Sequence, residues 1–476
     1  MVKLENHDIQ GLIMSGYGHL GHAAYCFFTF KNAEAGRNWL EGMVPRVATG
    51  ERWSTDENGR TVKPDHAINL GLTYFGLRAL QLPEDSLASF PHEFQQGMAH
   101  EHRSRILDDI NGSAPEHWQF GGLYAGGSKE QLLHGIVVIL ADSKAHRDAL
   151  SAEIKSTFDE HNITLMYEQL ADKLANDREH FGFFDGISQP SVEGGVRDPK
   201  TDEPTIRAGE FVLGYENEYD QIPWSPHLNG TDLGRNGSYL VVRKLHQDVA
   251  AFWRFIAANR EASENIGALA DATAEERDVW LASKFVGRWP SGCPLVMAPY
   301  RDDPAIAFEE FNRFYFNKRD PHGEKCPFGS HVRRTNPRDS LPPDPEESLK
   351  FADRHLIIRR GMPYGEPQFP LMELPPDPNI EDDGGERGLM FLCINANIAR
   401  QFEFVQQSWV ENTKFHGLYN DKDPLVGGCD DLTDHTIQHT PVRRKVKKLP
   451  RLVHVKGGGY FFMPSITALK RIAALK

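Results

Sequence analysis

Apolar residues along the 476-residue chain fall into short blocks separated by polar, glycine- or proline-bearing stretches. The run at 9–14 reads as a strand, and 23–30 (Ala-Ala-Tyr-Cys-Phe-Phe-Thr-Phe) has the aromatic and β-branched content of another. The pattern predicts a helix over 33–43, a strand over 67–72 and a short helix over 74–80. An aromatic, glycine-rich patch near 121–127 precedes a buried-strand run at 136–141 and a helix over 144–159. The second half repeats this rhythm. A strand at 238–243 leads into a helix over 246–262, in which Val249, Phe252, Phe255 and Ile256 keep a helical period. Short strands follow at 356–359 and 388–394, then an amphipathic helix over 398–409 and a terminal helix from 466. Strand–helix–strand units of similar size in each half predict an α+β fold of two related halves, 1–215 and 216–476. The proline-rich segments 341–347 and 374–379 read as acidic, solvated connectors, because adjacent prolines exclude helix and central strand.

Composition narrows the function classes. With 53 Lys+Arg against 67 Asp+Glu, the formal net charge is −14, the opposite of the basic footprint of nucleic-acid proteins. The basic run 443–451 therefore reads as a solvated loop or an acid-paired interface, and no nucleic-acid partner is expected. The most apolar run, 136–141, is far short of the roughly 20 residues a membrane helix needs, and the polar N-terminus lacks the apolar core of a signal peptide. Five scattered cysteines without a CxxC pair are the usage of a reducing compartment. Together these features predict a cytoplasmic protein with no membrane partner.

Three segments carry candidate chemistry. In His180-Phe-Gly-Phe-Phe-Asp-Gly-Ile-Ser-Gln-Pro, Asp185 stands among aromatics that would desolvate its carboxylate and raise its pKa, making it a proton carrier; as local pattern alone, Asp-Gly is a turn signal. The stretch 320–338 packs two histidines, a cysteine, a lysine and three arginines between prolines. A histidine close to arginines suits a cofactor that joins a metal to carboxylates, such as haem with its propionates, with His331 as axial ligand and Arg338 as propionate partner. A lone histidine is otherwise a structural hydrogen-bonding residue, and Cys326 is a thiolate alternative with no pocket reserved for it. In the third segment, Leu356-Ile-Ile-Arg-Arg-Gly-Met-Pro-Tyr, adjacent arginines on a strand point to opposite faces, so one can enter an interior cavity while the other meets solvent; as local pattern alone, two solvated arginines at a strand end is the ordinary reading.

Together the three segments resemble the dye-decolourising peroxidase family. Its GxxDG signature stands as Gly182-Phe-Phe-Asp185-Gly186, its proximal-histidine segment as Cys326-Pro-Phe-Gly-Ser-His331-Val-Arg-Arg-Thr-Asn-Pro-Arg338, and its distal-arginine segment as Ile358-Arg359-Arg-Gly-Met-Pro-Tyr. The strand Gly388-Leu389-Met-Phe391-Leu-Cys, the tail 457–465 and the opening 9–24, which is similar to bacterial members, extend the likeness from the first strand to the last. The resemblance implies two ferredoxin-like halves with antiparallel sheets, of the dimeric α/β barrel-like superfamily, with haem in the second half. It also implies one haem b per chain and single-electron oxidation of dyes or phenolic reductants at the expense of hydrogen peroxide, by a monomer or homodimer. His331 would ligate the iron, Asp185 would be the distal acid/base, Arg359 the distal charge stabiliser, Arg338 a propionate contact, and Leu389 and Phe391 would line the distal pocket. Some relatives carry an acid near Asn397, within reach of the proximal histidine; an amide stands here, so the acceptor of the His331 Nδ1 proton is left unassigned. A haem carrier or sensor needs only His331 and Arg338, and a chlorite-degrading or iron-releasing enzyme is a second alternative on a related fold. The carboxylate–arginine pair favours the peroxidase over both.

Overall fold

The computed structural model describes residues 3–122, 132–196 and 204–475; the part of the glycine-rich patch beyond 122 lies outside them. Strand β1 (His22–Phe30) is followed by helix α1 (Ala33–Met43), β2 (His66–Leu72), β3 (Gly135–Ala141), α2 (Lys144–Glu160) and β4 (Ile163–Asp172). These four strands pair antiparallel in the order β2-β3-β1-β4, which with the two helices makes a ferredoxin-like βαββαβ unit. The second unit repeats the order. Strand β5 (Ser238–Gln247) runs into α3 (Val249–Ala258) and, after α4 (Ala274–Val286), α5 (His331–Thr335) and α6 (Pro345–Asp353), the chain forms β6 (Ile358–Arg359), β7 (Met362–Tyr364) and β8 (Gly388–Asn395). Both β6 and β7 pair with β8, as one edge strand interrupted at Arg360–Gly361. A hairpin, β9 (Thr433–Ile437) with β10 (Arg444–Leu449), precedes β11 (Val453–Met463) and α7 (Ile466–Ala473). β11 pairs with β5 along its length and meets β2 at Phe462–Leu72, so the latest strand in sequence joins the two half-sheets into one of nine strands. At the far ends β7 comes back beside β4, which closes the barrel.

Strands β1 and β3 are buried on both faces, which is why 23–30 and 136–141 read as unbroken apolar runs. Tyr25, Phe27, Val138, Leu240 and Leu392 fill the barrel interior. Ala24, Cys26, Phe28, Val137 and Ile139 face outward under the helices, where Phe28, Trp39 and Phe158 meet edge-on or tilted with ring centroids 4.9–5.5 Å apart.

Several expectations need correction. Residues 9–14 are not a strand: Gly11–Met14 make one helical turn, because side chains replace the ladder. Gln10 exchanges both amide groups with the Leu70 backbone, and Asn69 accepts from the Leu12 N–H. The helix expected over 246–262 is shorter, since β5 continues to Gln247 and Asp248 caps Val249–Ala258. The first proline-rich connector is partly helical: Asp344 caps α6 and Pro345 opens it, the one helical position where a missing N–H costs nothing. The helix expected over 398–409 is present but wound wider, as two π-type turns, Ala399–Glu403 and Val405–Val410. The basic run forms β10, with Lys445 paired to Asp434 and Arg451 to Asp430 at 2.8 Å each. Strand β4 carries a half-exposed pattern that the apolar-block reading passes over.

Candidate active site

On the outward face of the second half-sheet the helices stand off, and a cavity opens. Arg243 and Leu245 of β5, Leu389 and Phe391 of β8, Arg359 of β6 and Val455 of β11 look into it. Its other walls come from the Glu179–Pro190 loop, from α5 and from the π-wound segment. All six residues singled out in the sequence, Asp185, His331, Arg338, Arg359, Leu389 and Phe391, line this one cavity.

The turn carrying Asp185 is built by its neighbours. Gly182 and Gly186 both have positive φ (96° and 81°), and a Cβ at Gly182 would lie 2.8 Å from Leu374. The buried Glu179 carboxylate accepts from the Phe181 and Phe183 N–H groups and from Gln247, and burial pushes its pKa up to about 7. Phe181 stacks on Phe252 at 4.4 Å and Phe184 meets Phe308, and both rings border the cavity. Asp185 is instead a third exposed, open to the cavity and accepting from the Gly186 N–H at 2.6 Å. The aromatic enclosure expected from the local sequence is therefore not what surrounds it.

Arg359 Nη1 lies 3.5 Å from Asp185 Oδ1, while Nη2 donates to the Ile187 carbonyl at 2.6 Å and the Arg359 N–H to Gln189. The guanidinium is thus tied to the loop that carries Asp185. Its neighbour Arg360 does not go to solvent as expected; it donates to the Leu12 and Ile13 carbonyls, holding the first helical turn against the sheet.

His331 opens α5 and is fixed from behind. Its Nδ1 lies 2.9 Å from Asp423 Oδ2, and Asp423 Oδ1 accepts from the Leu425 and Val426 N–H groups. Burial raises the Asp423 pKa, but the hydrogen bond from His331 and the two backbone donors hold it below the usual carboxylate range. An ionised carboxylate only accepts, so His331 carries its proton on Nδ1 and keeps the Nε2 lone pair free to bind a metal. This identifies the acceptor that the sequence left unassigned. Asn397 is engaged elsewhere, with Gln401 and Arg400. Asp423 sits in an ordinary Asp-Lys-Asp-Pro turn, 92 residues from His331, and nothing local marks it.

Buried cations hold the surrounding loops. Arg333 pairs with Asp320 at 2.9 Å, and Arg334 donates to the carbonyls of Trp409, Val410, Asn412 and Asp421. Arg338 donates to the Asn312 and Phe314 carbonyls, lies 4.0 Å over the Phe314 ring and reaches Ser188 on the Asp185 loop at 3.5 Å. Cys326 is buried against Ser330 and is not among the residues that line the cavity, which removes the thiolate alternative. The donor set therefore fits haem: a neutral imidazole with a free Nε2, apolar walls for the macrocycle, and a cation beside them for carboxylates.

Two family descriptions match this chain: the DyP dimeric alpha+beta barrel domain over residues 8–171 and the Dyp-type peroxidase C-terminal domain over 176–425. The chain belongs to the dye-decolourising peroxidase family. It is a haem peroxidase by that membership. The dye-decolorizing peroxidase msp1 of Mycetinis scorodonius is 28% identical, over 98% of this chain and 87% of that protein. The multifunctional dye peroxidase DyP2 of an Amycolatopsis species is 33% identical over 65% of each. Among solved structures, a dye-decolorizing peroxidase in complex with 2,6-dimethoxyphenol superposes with a TM-score of 0.80 at 26% identity, covering 99% of this chain and all of that one. An Anabaena peroxidase of the family gives 0.77 at 26% identity, over 98% of this chain and 94% of that one. Beyond Asp423, the family motifs leave out Glu179, Arg243 and His355, which also line the cavity. No helix among the described residues is long and apolar enough to cross a membrane.

Proposed function

We propose that this peroxidase holds one haem b per chain on His331 and uses hydrogen peroxide to oxidise dyes or phenolic compounds in single-electron steps. The observation that carries the assignment is the Asp185–Arg359 pair, 3.5 Å apart and opening on the cavity that His331 also lines. When bound, the haem supplies the redox chemistry that splits the O–O bond. The chain's own residues manage protons and charge. Asp185 accepts a proton from the entering peroxide and returns it to the oxygen that leaves as water. Arg359, permanently charged, stabilises the negative charge developing on that oxygen. Asp423 holds the His331 ring in the tautomer that presents Nε2. Arg338 would hold a propionate, and Leu389 and Phe391, which line the same cavity, would border the space for peroxide. Residues 1–215 and 216–476 act as the two halves in this reading, supported by the separate strand sets β1–β4 and β5–β11. The five buried, free cysteines support a cytoplasmic setting. A monomer or homodimer is proposed with them.

The test is the optical spectrum of the haem-loaded protein before and after one equivalent of peroxide. A high-spin ferric spectrum that changes within the mixing time, in wild type but not in Asp185→Asn, is the expected result. Stable haem whose spectrum ignores peroxide would overturn the peroxidase mechanism in favour of a carrier or sensor.

A further inference from the structure

The far end of the first half-sheet carries a cluster of imidazoles and carboxylates that the peroxidase chemistry does not use. Asp65 and His66 open β2, while Asp142 and His146 stand where β3 passes into α2. The two segments are locked together. His66 pairs with Ala141 in the β2–β3 register, the Asp142 N–H donates to the Asp65 carbonyl at 3.0 Å, and Ser143 caps the first turn of α2 through the His146 N–H. One donor atom each from Asp65, His66 and His146 lies within 4.8 Å of the other two, and the imidazole rings stand edge to face with centroids 5.3 Å apart.

A carboxylate stands against Nδ1 of each ring. His66 Nδ1 lies 2.7 Å from Asp65 Oδ1, and His146 Nδ1 lies 3.0 Å from Asp142 Oδ1. For His146 the Asp142 carboxylate behind Nδ1 fixes the ring and leaves Nε2 as the lone-pair donor, the arrangement that accompanies a histidine bound to metal, whereas His66 meets its fellow donor Asp65 through Nδ1, the nitrogen it would offer the ion. Neither Nε2 has a protein hydrogen-bond partner among the described residues. His22 shows what the alternative looks like. It lies in the same row of the sheet, one strand beyond Ala141, and also meets a carboxylate, Asp172, at 2.6 Å. There, however, Arg147 and Lys144 already neutralise the acid, and no third donor converges among the described residues.

We propose that Asp65, His66 and His146 bind a borderline divalent transition-metal ion, Zn2+ being the probe of choice, with Asp142 orienting His146. Two imidazoles and one carboxylate select such an ion over Mg2+ or Ca2+, which take oxygen donors. Bonds of about 2.0–2.1 Å in a tetrahedral site require donors roughly 3.4 Å apart, a contraction within reach of side-chain rotations at a half-exposed edge. The bound ion ties the start of β2 to the start of α2. Water completes the coordination.

The experiment titrates the chelator-treated, haem-loaded enzyme with zinc chloride by calorimetry. Wild type and His22→Gln should each bind one Zn2+ per chain with equal affinity. In His66→Gln/His146→Gln that affinity should fall at least tenfold, with haem content and peroxidase rate unchanged. Zn2+ should raise the thermal midpoint of wild type and His22→Gln but not of the double variant. Asp142→Asn, which keeps the ligands and loses the orienting charge, should weaken binding by a smaller factor. Indistinguishable titrations of wild type and the double variant, or a loss confined to His22→Gln, would overturn the site.

Discussion

The two ferredoxin-like halves share one strand order and use the same face differently. In the first, the outward face is filled: Phe28, Trp39 and Phe158 interlock under α1 and α2. In the second, that face carries Arg243, Leu389, Phe391 and Arg359, and the covering elements stand back to leave the cavity. Regular helices give way there to loops and to a π-wound segment, whose carbonyls cannot all pair within the backbone. Buried cations take over that duty. Arg334 serves four carbonyls, and Arg288 donates to those of Gly292 and Phe311. A ferredoxin-like half thus becomes a haem site by exchanging aromatic filling for side-chain-to-carbonyl bonds that hold irregular backbone open.

Substitutions can break this contrast, and the largest effect belongs to the cavity. Asp185→Asn should lower the rate of reaction with peroxide by about 10²–10⁴-fold while leaving the thermal midpoint near that of wild type, as stopped-flow and calorimetry together would read. A variant that kept its rate would remove Asp185 from proton transfer. Next comes the framework. Arg333→Met strands the buried Asp320 and should cost about 3–5 kcal/mol in denaturant unfolding, whereas Arg46→Met, at the half-exposed Arg46–Glu153 pair of the first half, should cost about 0–1 kcal/mol. Equal costs would mean that the second half does not depend on its buried cations. Asp423→Asn should weaken haem retention or turnover by about 10–100-fold, measured by haem transfer to an apo-globin acceptor and by peroxidase assay.

The smallest effect is a pH slope. Burial lowers the pKa of His134 in the first half and of His355 in the second to about 4. Between about 4 and the unfolded value near 6.5 the unfolded chain binds more protons, so stability is present above that window and is lost as pH falls through it. Each imidazole contributes up to about 1.4 kcal/mol per pH unit there. His355→Gln should therefore flatten the fall of the thermal midpoint between pH 6.5 and 4.

How much of this was legible depends on whether the information was local. The alternating blocks gave β1, β3, α1 and α2 almost residue for residue, because strands buried on both faces and helices packed over them leave plain periodic traces. The motif residues Asp185, His331 and Arg359 could be named because their short segments match those of the dye-decolourising peroxidase family; taken alone, each segment had a plain structural reading. Asp423 could not, since its role comes from a contact 92 residues away and its own surroundings are an ordinary turn. Residues 9–14 misled because Gln10 and Asn69 mimic strand pairing with side chains. Arg360 misled because a strand-edge arginine gives no sign in sequence of the carbonyls waiting for it.

The position of β11 bears on the order in which the molecule can be assembled. During synthesis the first half-sheet has all four of its strands once the ribosome has released residue 172, and that unit can close while the rest is still being made. The second half-sheet stays one strand short until Val453–Met463 emerges, and that same strand brings Val453 and Val455 to the cavity wall and Phe462 to the seam with β2. The wall of the cavity is consequently complete only once β11 has slotted into the middle of the sheet.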